Sequence, residues 1–507
     1  MARKLTSLAL ILILLFSTNL AMANNVMGNK VQSTEENELM FWAEWYDRVA
    51  TLPPNFRDVE EAEGIKMTFI PRPEDEKEFL TLKIVSGEIP DIIRDFGFVT
   101  YDSFYQQGVY AEVPVELIKE NAPLLVEWAE KNGGENIWKY YERDGKNYSV
   151  PIMWTLAKDN RVLGIREDLF QAAGAKIPTT IEEMGESLQL IRDKLNIYPL
   201  TATSLQSGLD WVFGAYGAFL NFHTGDDGAI EYGYIEDGAK TALQVLADWY
   251  ARDLIDPEFY VNTDDNMQDK WDSGQAAICE HEWYFFMPQP AFYLGKFWES
   301  AMAQNPEAII TIIDAPTGDG TNRGFSLGNV VVSSGLQFGS HLSEEKIARY
   351  LRFFDKYSFT HEGYAKLMWG DEGVTYTYDE ENGVQWLDGY KTKEERDAYG
   401  IGITSLPGCF NDYDLQAPFM TAPQYLEMRK EGPTHSSGKI DVLQPVYRPI
   451  YNEKIEALNM FIRQAFIDII IGDRPVDDFE SIRDEWLSMG GQEVMDEAIA
   501  VYEELVK

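Results

Sequence analysis

The stretch Ser86-Gly87-Glu88-Ile89-Pro90-Asp91-Ile92-Ile93 reads as one joint of a layered sheet-and-helix fold. Ser86 and Gly87 stop a helix, Pro90 fixes a turn, and branched residues then open a short buried strand. Working back from this joint, residues 75–85 predict a helix. Residues 65–70 alternate Ile, Met and Phe with polar side chains, as a strand does, and 57–62 predict a helix. Residues 39–43 form an apolar run that ends in Glu44-Trp45-Tyr46-Asp47, a first strand and its outgoing loop. Strand, helix, strand, helix, strand at this spacing predicts right-handed crossovers and a parallel sheet.

The first residues are an address rather than a fold. Arg3 and Lys4 precede an unbroken apolar run from 8 to 16, and Ala21-Met22-Ala23 is a small-x-small cleavage site. This pattern predicts a signal peptide over 1–23 and export, with the apolar run too short to span a bilayer. The remaining chain is too long for one core and fits two or three lobes. With 84 acidic residues against 43 basic ones and a formal net charge of −41, nucleic acid and anionic membranes are excluded as partners. Of the two cysteines, Cys279 and Cys409, neither follows the apolar run, so no lipid-attachment cysteine is found; a bond between the two stays open.

Farther along, Asp144-Gly145-Lys146 is a hairpin turn and 148–152 a strand; 162–165 is another strand, after which Arg166-Glu167-Asp168 opens a helix. Thr179 with Glu182 and Thr180 with Glu183 make two overlapping capping boxes. Ser343 caps a helix that places Ile347, Leu351 and Phe354 on one face. Trp128, Trp138, Trp249 and Trp486 are assigned to the core. Asp226-Asp227-Gly228 and Asp264-Asp265 are read as turns, because they lack the alternating spacing of a calcium loop.

Landmarks then follow in order: Asp144-Gly145-Lys146-Asn147-Tyr148-Ser149-Val150-Pro151, Leu163-Gly164-Ile165-Arg166-Glu167-Asp168, Tyr198-Pro199-Leu200-Thr201, Asp256-Pro257 and Trp271-Asp272-Ser273-Gly274-Gln275-Ala276-Ala277. Together with the Pro-Asp-Ile-Ile joint, this series resembles the large oligosaccharide-binding subgroup of family 1 extracellular solute-binding proteins of ABC transporters. The resemblance implies an α/β fold of the periplasmic-binding-protein (Venus-flytrap) type, two α/β lobes joined by a multi-strand hinge. It places the N-terminal lobe at 36–150 and 325–357 and the C-terminal lobe at 151–324 and 358–507, with crossings near 151–156, 324–329 and 357. It further implies a monomer that binds a sugar between the lobes and hands it to ABC transporter permease subunits, in a periplasmic or extracellular setting. Several relatives carry a calcium loop before the Pro-Leu-Thr landmark. Residues 191–198 lack its ligand spacing, so no metal and no cofactor are expected.

A sugar offers one apolar face and a rim of hydroxyls, which calls for flat aromatic rings beside carboxylates. Trp45, Trp154, Trp211 and Trp283 fall where strands or turns end, and by the resemblance Trp283 stands where relatives place a stacking ring. Asp95, just past the Pro-Asp-Ile-Ile strand, and Glu282 are candidate hydroxyl acceptors; capping the next helix is an equal role for Asp95. Arg323 matters only for an acidic ligand. The competing readings are an exported carbohydrate-cleaving enzyme and a sensor for a membrane receptor. Against the enzyme, no His-Glu-x-x-His, Gly-x-Ser-x-Gly or Walker loop occurs, and the five histidines show no metal-ligand pairing.

Overall fold

The computed structural model describes residues 36–43, 52–71, 76–94, 97–153, 161–205, 207–225, 227–288, 296–318, 320–326, 334–401, 415, 423–439, 441–444 and 446–505. The expected signal peptide, Trp45, Asp95, Trp154 and Cys409 lie outside these residues.

The elements that position the site begin with β1 (Glu38–Ala43), α1 (Pro54–Glu63), β2 (Lys66–Pro71), α2 (Glu76–Val85), β3 (Ile92–Arg94) and β4 (Val150–Ile152). Next come β5 (Arg161–Arg166), α3 (Ile181–Leu195), α4 (Asp237–Ala251), α5 (Asp264–Asp272), β6 (Ile278–Glu282) and β7 (Ile310–Ile313). Then follow β8 (Ser334–Phe338), α6 (Glu344–Phe359), α7 (His361–Met368) and α8 (Pro449–Ile471).

β1 and β2 pair in parallel, Glu38 opposite Lys66 and Ala43 opposite Pro71, as the spacing predicts. β3 does not extend this pair but belongs to a second, antiparallel sheet. β8 inserts antiparallel between β3 and β4, with Gln337 opposite Ile93 and Gly335 opposite Pro151. The reason is topological: β4 leaves toward the second core and β8 returns from it, so the two run in opposite directions along the sheet. α6 covers this sheet. Its Ile347, Leu351 and Phe354 are buried, as their shared face requires, and Phe41 packs against Phe353 with ring centroids 5.0 Å apart.

The Pro-Asp-Ile-Ile joint is held by α6 as well. Asp91 is fully enclosed and takes a hydrogen bond from Lys346 Nζ at 2.9 Å. The Tyr350 hydroxyl donates to Asp91 Oδ2 at 3.0 Å while accepting Met40 N–H at 2.6 Å, so one side chain ties the joint to β1. His341 Nε2 stands 3.1 Å from Asp91 Oδ1. Burial beside this carboxylate pushes the Tyr350 hydroxyl well above its ordinary pKa.

The second core surrounds the antiparallel sheet β6-β5-β7, in which Ile278 faces Ile165 and Ile310 faces Arg166. α3, α4 and α8 pack there, with Trp211, Trp249, Phe213, Phe466 and Trp486 in one cluster. Trp128 and Trp138 are buried in the first core. At the start of α3, Thr180 accepts Glu183 N–H at 3.2 Å, while the Glu183 carboxylate takes the Thr179 N–H and hydroxyl, each at 2.8 Å. One interleaved cap therefore replaces the two predicted boxes. Asp264 and Asp265 open α5 under a Thr263–Asn266 capping box, because acids in the first turn suit the positive end of the helix.

Core membership changes between 153 and 161 and again between 326 and 334. The third change is displaced. Beyond 357 the chain stays with the first core: α7 follows on α6, and Asn55 of α1 donates to the carbonyls of Lys366 (2.9 Å) and Gly400 (3.1 Å). Residues 432–438 and 442–505 pack on the second core, so the change falls between 401 and 432. The units touch where Asn452 Nδ2 donates to Asp102 Oδ2 at 3.0 Å, a carboxylate also paired with Arg143 at 2.7 Å.

Candidate functional site

β5 begins at Arg161, on the second-core side of the first chain crossing, and β6 runs against it so that Glu282 lies opposite Arg161. Side chains alternate along a strand, so Glu280 and Glu282 point to one face and Cys279 and His281 to the other. Arg161 stands over the carboxylates: Nη1 is 3.8 Å from Glu280 Oε1 and Nη2 is 3.6 Å from Glu282 Oε1. Beneath lies Asp210, fully enclosed, whose Oδ2 accepts Ser326 N–H at 2.7 Å. Ser326 marks the second crossing, so the wall formed by these residues adjoins two crossings at once.

The charges on this wall differ sharply in environment. Burial pushes Asp210 up to about 6, against the lowering pull of its Glu280, Ser326 and Arg161 contacts. Burial and the neighbouring Asp210 drive Glu280 well above the usual carboxylate range. Burial would also raise Glu282, but hydrogen bonding to His281 and the Arg161 charge outweigh it and hold this carboxyl at about 2. Glu282 therefore presents an ionised, partly exposed acceptor, suited to a hydroxyl donor.

Trp283 follows β6 directly but is enclosed, at 2% exposure, among Trp271, Phe286 and Met287. The Arg429 guanidinium lies 5.3 Å from its ring centroid, and its buried indole N–H meets no acceptor among the described residues. A ligand stacks on this ring only if the segment carrying Arg429 and Gly432 moves away. Trp211 is a core residue here, contrary to the expectation of an open platform. Its short helix buries all five residues, its N–H donates to Gly208 O at 2.9 Å, and its ring tilts against Trp249. Arg323 pairs with Asp314 at 2.8 Å, and His435 Nδ1 lies 2.8 Å from the same carboxylate.

The sequence reading missed Arg161, Asp210, Glu280 and Arg429. The i, i+2 pairing of Glu280 with Glu282 on a strand was a usable signal for one of them. Nothing local marks Asp210, which gains its setting from Glu280 seventy residues on.

No group of three or more metal-ligating side chains is poised for a metal among the described residues. Near the Pro-Leu-Thr landmark an ammonium fills a polar nest instead: Lys270 Nζ donates to Asp256 Oδ2 (2.7 Å), Glu258 Oε2 (2.9 Å) and Asn262 Oδ1 (2.9 Å). Burial would raise Asp256, but the hydrogen bonds from Lys270 and Asn262 prevail and hold it below its ordinary value; Lys270 is raised in return. The Asp256 contribution is lost as pH falls through its lowered value, the Lys270 contribution as pH rises through its raised one. Lys270→Met is expected to remove about 2 kcal/mol between roughly pH 5 and 9. Denaturant midpoints across that range measure it, and an unchanged midpoint would show the nest to be inert. Cys279 is a free, fully buried thiol whose pKa burial drives well up.

A family profile described as bacterial extracellular solute-binding protein matches residues 44–314. The chain belongs to this family. It is a solute-binding protein of an exported class, and no described helix is long and apolar enough to cross a membrane. A curated relative, the polygalacturonan/rhamnogalacturonan-binding protein YtcQ of Bacillus subtilis (strain 168), is 22% identical over 478 residues, spanning 90% of this chain and 89% of that one. Among solved structures, the alginate-binding protein AlgQ2 without calcium ion superposes with a TM-score of 0.66 at 17% identity, covering 92% of this chain and 97% of its own. The S. pneumoniae ABC-transporter substrate-binding protein FusA, in complex with kestose, gives 0.67 at 15% identity, covering 92% and 99%. The solute-binding protein thus has the two-lobed periplasmic-binding fold of ABC transporter substrate-binding proteins.

Proposed function

We propose that this solute-binding protein captures an oligosaccharide between its lobes and delivers it unchanged, as a monomer, to the permease of an ABC importer. The observation that carries this reading is the chain-long likeness to a polygalacturonan/rhamnogalacturonan-binding protein, which also makes uronate-containing oligomers the first ligands to try. One lobe comprises residues 36–153 and 334–401, the other 161–326 and 432–505. Ligand contacts to both lobes favour the closed arrangement that the permease recognises. Arg161 and Glu282 supply polar contacts from the second lobe. Trp45, Trp154 and Asp95 remain contact candidates on the sequence alone, and Trp283 adds a stacking ring once Arg429 withdraws.

The Asp210–Glu280 pair is not arranged as the catalytic pair of a retaining glycosidase. A retaining glycosidase needs two carboxyls about 5–5.5 Å apart with the scissile bond between them. Asp210 and Glu280 instead hydrogen-bond to one another and are fully enclosed.

Thermal unfolding against neutral and acidic oligosaccharides tests the reading. A true ligand at a hundred times its Kd is expected to add ~2.7 kcal/mol and to be recovered intact by mass spectrometry. Shortened products would make the protein an enzyme, and no shift with any saccharide would remove sugars as the ligand class.

A further inference from the structure

The hydrogen bonds of the second-lobe wall balance only if a proton is counted. Asp210 Oδ2 is satisfied by Ser326 N–H, and Glu280 Oε2 by Gly208 N–H at 3.0 Å. The other two oxygens, Asp210 Oδ1 and Glu280 Oε1, are buried and meet no amide, hydroxyl or guanidinium donor. Arg161 Nη1, at 3.8 Å from Glu280 Oε1, is beyond hydrogen-bonding range. The two carboxyl groups hydrogen-bond to one another, which two ionised carboxylates cannot do. A single proton held by the pair supplies the missing donor and leaves one negative charge, which Arg161 offsets.

We propose that Asp210 and Glu280 share one proton beneath Arg161, and that uptake of a second proton unmasks the Arg161 charge and strengthens binding of an acidic oligosaccharide. This rests on the reading that a sugar lies against this wall. The groups on the pair's side of the wall are Arg161 on β5, Glu282 on β6 and Tyr284 in the turn that follows; Cys279 and His281 lie on the opposite face of β6. Glu282 stays ionised in the acid range, while Cys279 stays neutral because its thiol is raised by burial. Arg161, the shared-proton pair and Glu282 therefore sum to one negative charge near neutral pH, and to zero once the second proton enters. Burial, which raises Asp210, favours that entry as pH falls below neutral. Neutral sugars do not sense this change, whereas a uronate carboxylate does.

Two measurements test it. Infrared difference spectra of the free protein at neutral pH are expected to show a protonated-carboxyl C=O band that Glu280→Gln and Asp210→Asn both remove. Titration calorimetry with trigalacturonate from pH 7 to 5 is expected to show affinity rising up to about tenfold, the equivalent of one pKa unit of coupling. Kestose affinity, and trigalacturonate affinity in Glu280→Gln, would stay level, since the Gln amide donates permanently to Asp210 and no proton is shared. Absence of the band, or an equal pH step in Glu280→Gln, would overturn the proposal. The band together with a failure of both trigalacturonate and kestose to bind at any pH would leave proton sharing established and overturn its link to sugar affinity. That outcome would fall on the sugar reading itself.

Discussion

Asp91→Ala is expected to cost about 3–5 kcal/mol of stability, the range for removing one partner from a buried ion pair. The lost carboxylate is fully enclosed, and with it goes the 2.9 Å ion pair to Lys346, whose side chain is itself buried in the first core. The substitution also removes one of two acceptors within reach of the Tyr350 hydroxyl, the other being Met40 O at 3.1 Å, and so uncouples the Pro-Asp-Ile-Ile joint from β1. Denaturant unfolding followed by tryptophan fluorescence measures the loss. Asp91→Asn keeps the shape and part of the hydrogen bonding, so it should fall between wild type and Asp91→Ala. A cost under about 1 kcal/mol for alanine would mean that water or a neighbouring acid replaces the carboxylate.

Trp283→Ala is expected to cost a similar amount, about 3–5 kcal/mol, through the cavity left among Trp271, Phe286 and Met287. The ring also underlies Arg429, and a Cβ added at Gly432 would approach its Cε3 at 3.1 Å, so the space cannot refill without moving that segment. The proposed ligand role makes a separate demand. Trp283→Phe retains most of the packing, so it should lose sugar affinity well beyond any loss of stability if the indole stacks on ligand in the closed state. Unchanged affinity in Trp283→Phe would leave the ring with a core role alone. Unfolding midpoints and calorimetric affinities on the same preparations separate the two.

The parallel start of the fold was legible because each step is local. The stop at Ser86-Gly87, the Pro90 turn and the alternation in β2 are set by backbone preferences and side-chain period within a few residues. The same holds for the helix face of Ile347, Leu351 and Phe354 and for the Thr180 cap. The candidate site was legible only in outline. Glu282 and Trp283 were marked by their place after a strand, but placement could not tell an exposed ring from one roofed by Arg429, about 150 residues later. Trp211 looked like a loop residue because its helix has only five residues, too short for a periodic pattern.

What this sequence determined by itself is the set of elements, their order and the family likeness carried by its landmarks. Tertiary structure alone decided which carboxylates matter. Asp91 becomes an anchor because His341, Lys346 and Tyr350 arrive from 250 or more residues away. The antiparallel entry of β8 and the late third crossing follow from where the chain returns, which no local signal records. Asp210 and Glu280 come together beneath Arg161 only because folding removes water from both carboxyls and sets the three residues side by side. Desolvation and charge pairing depend on distance in space, to which distance along the chain gives no guide.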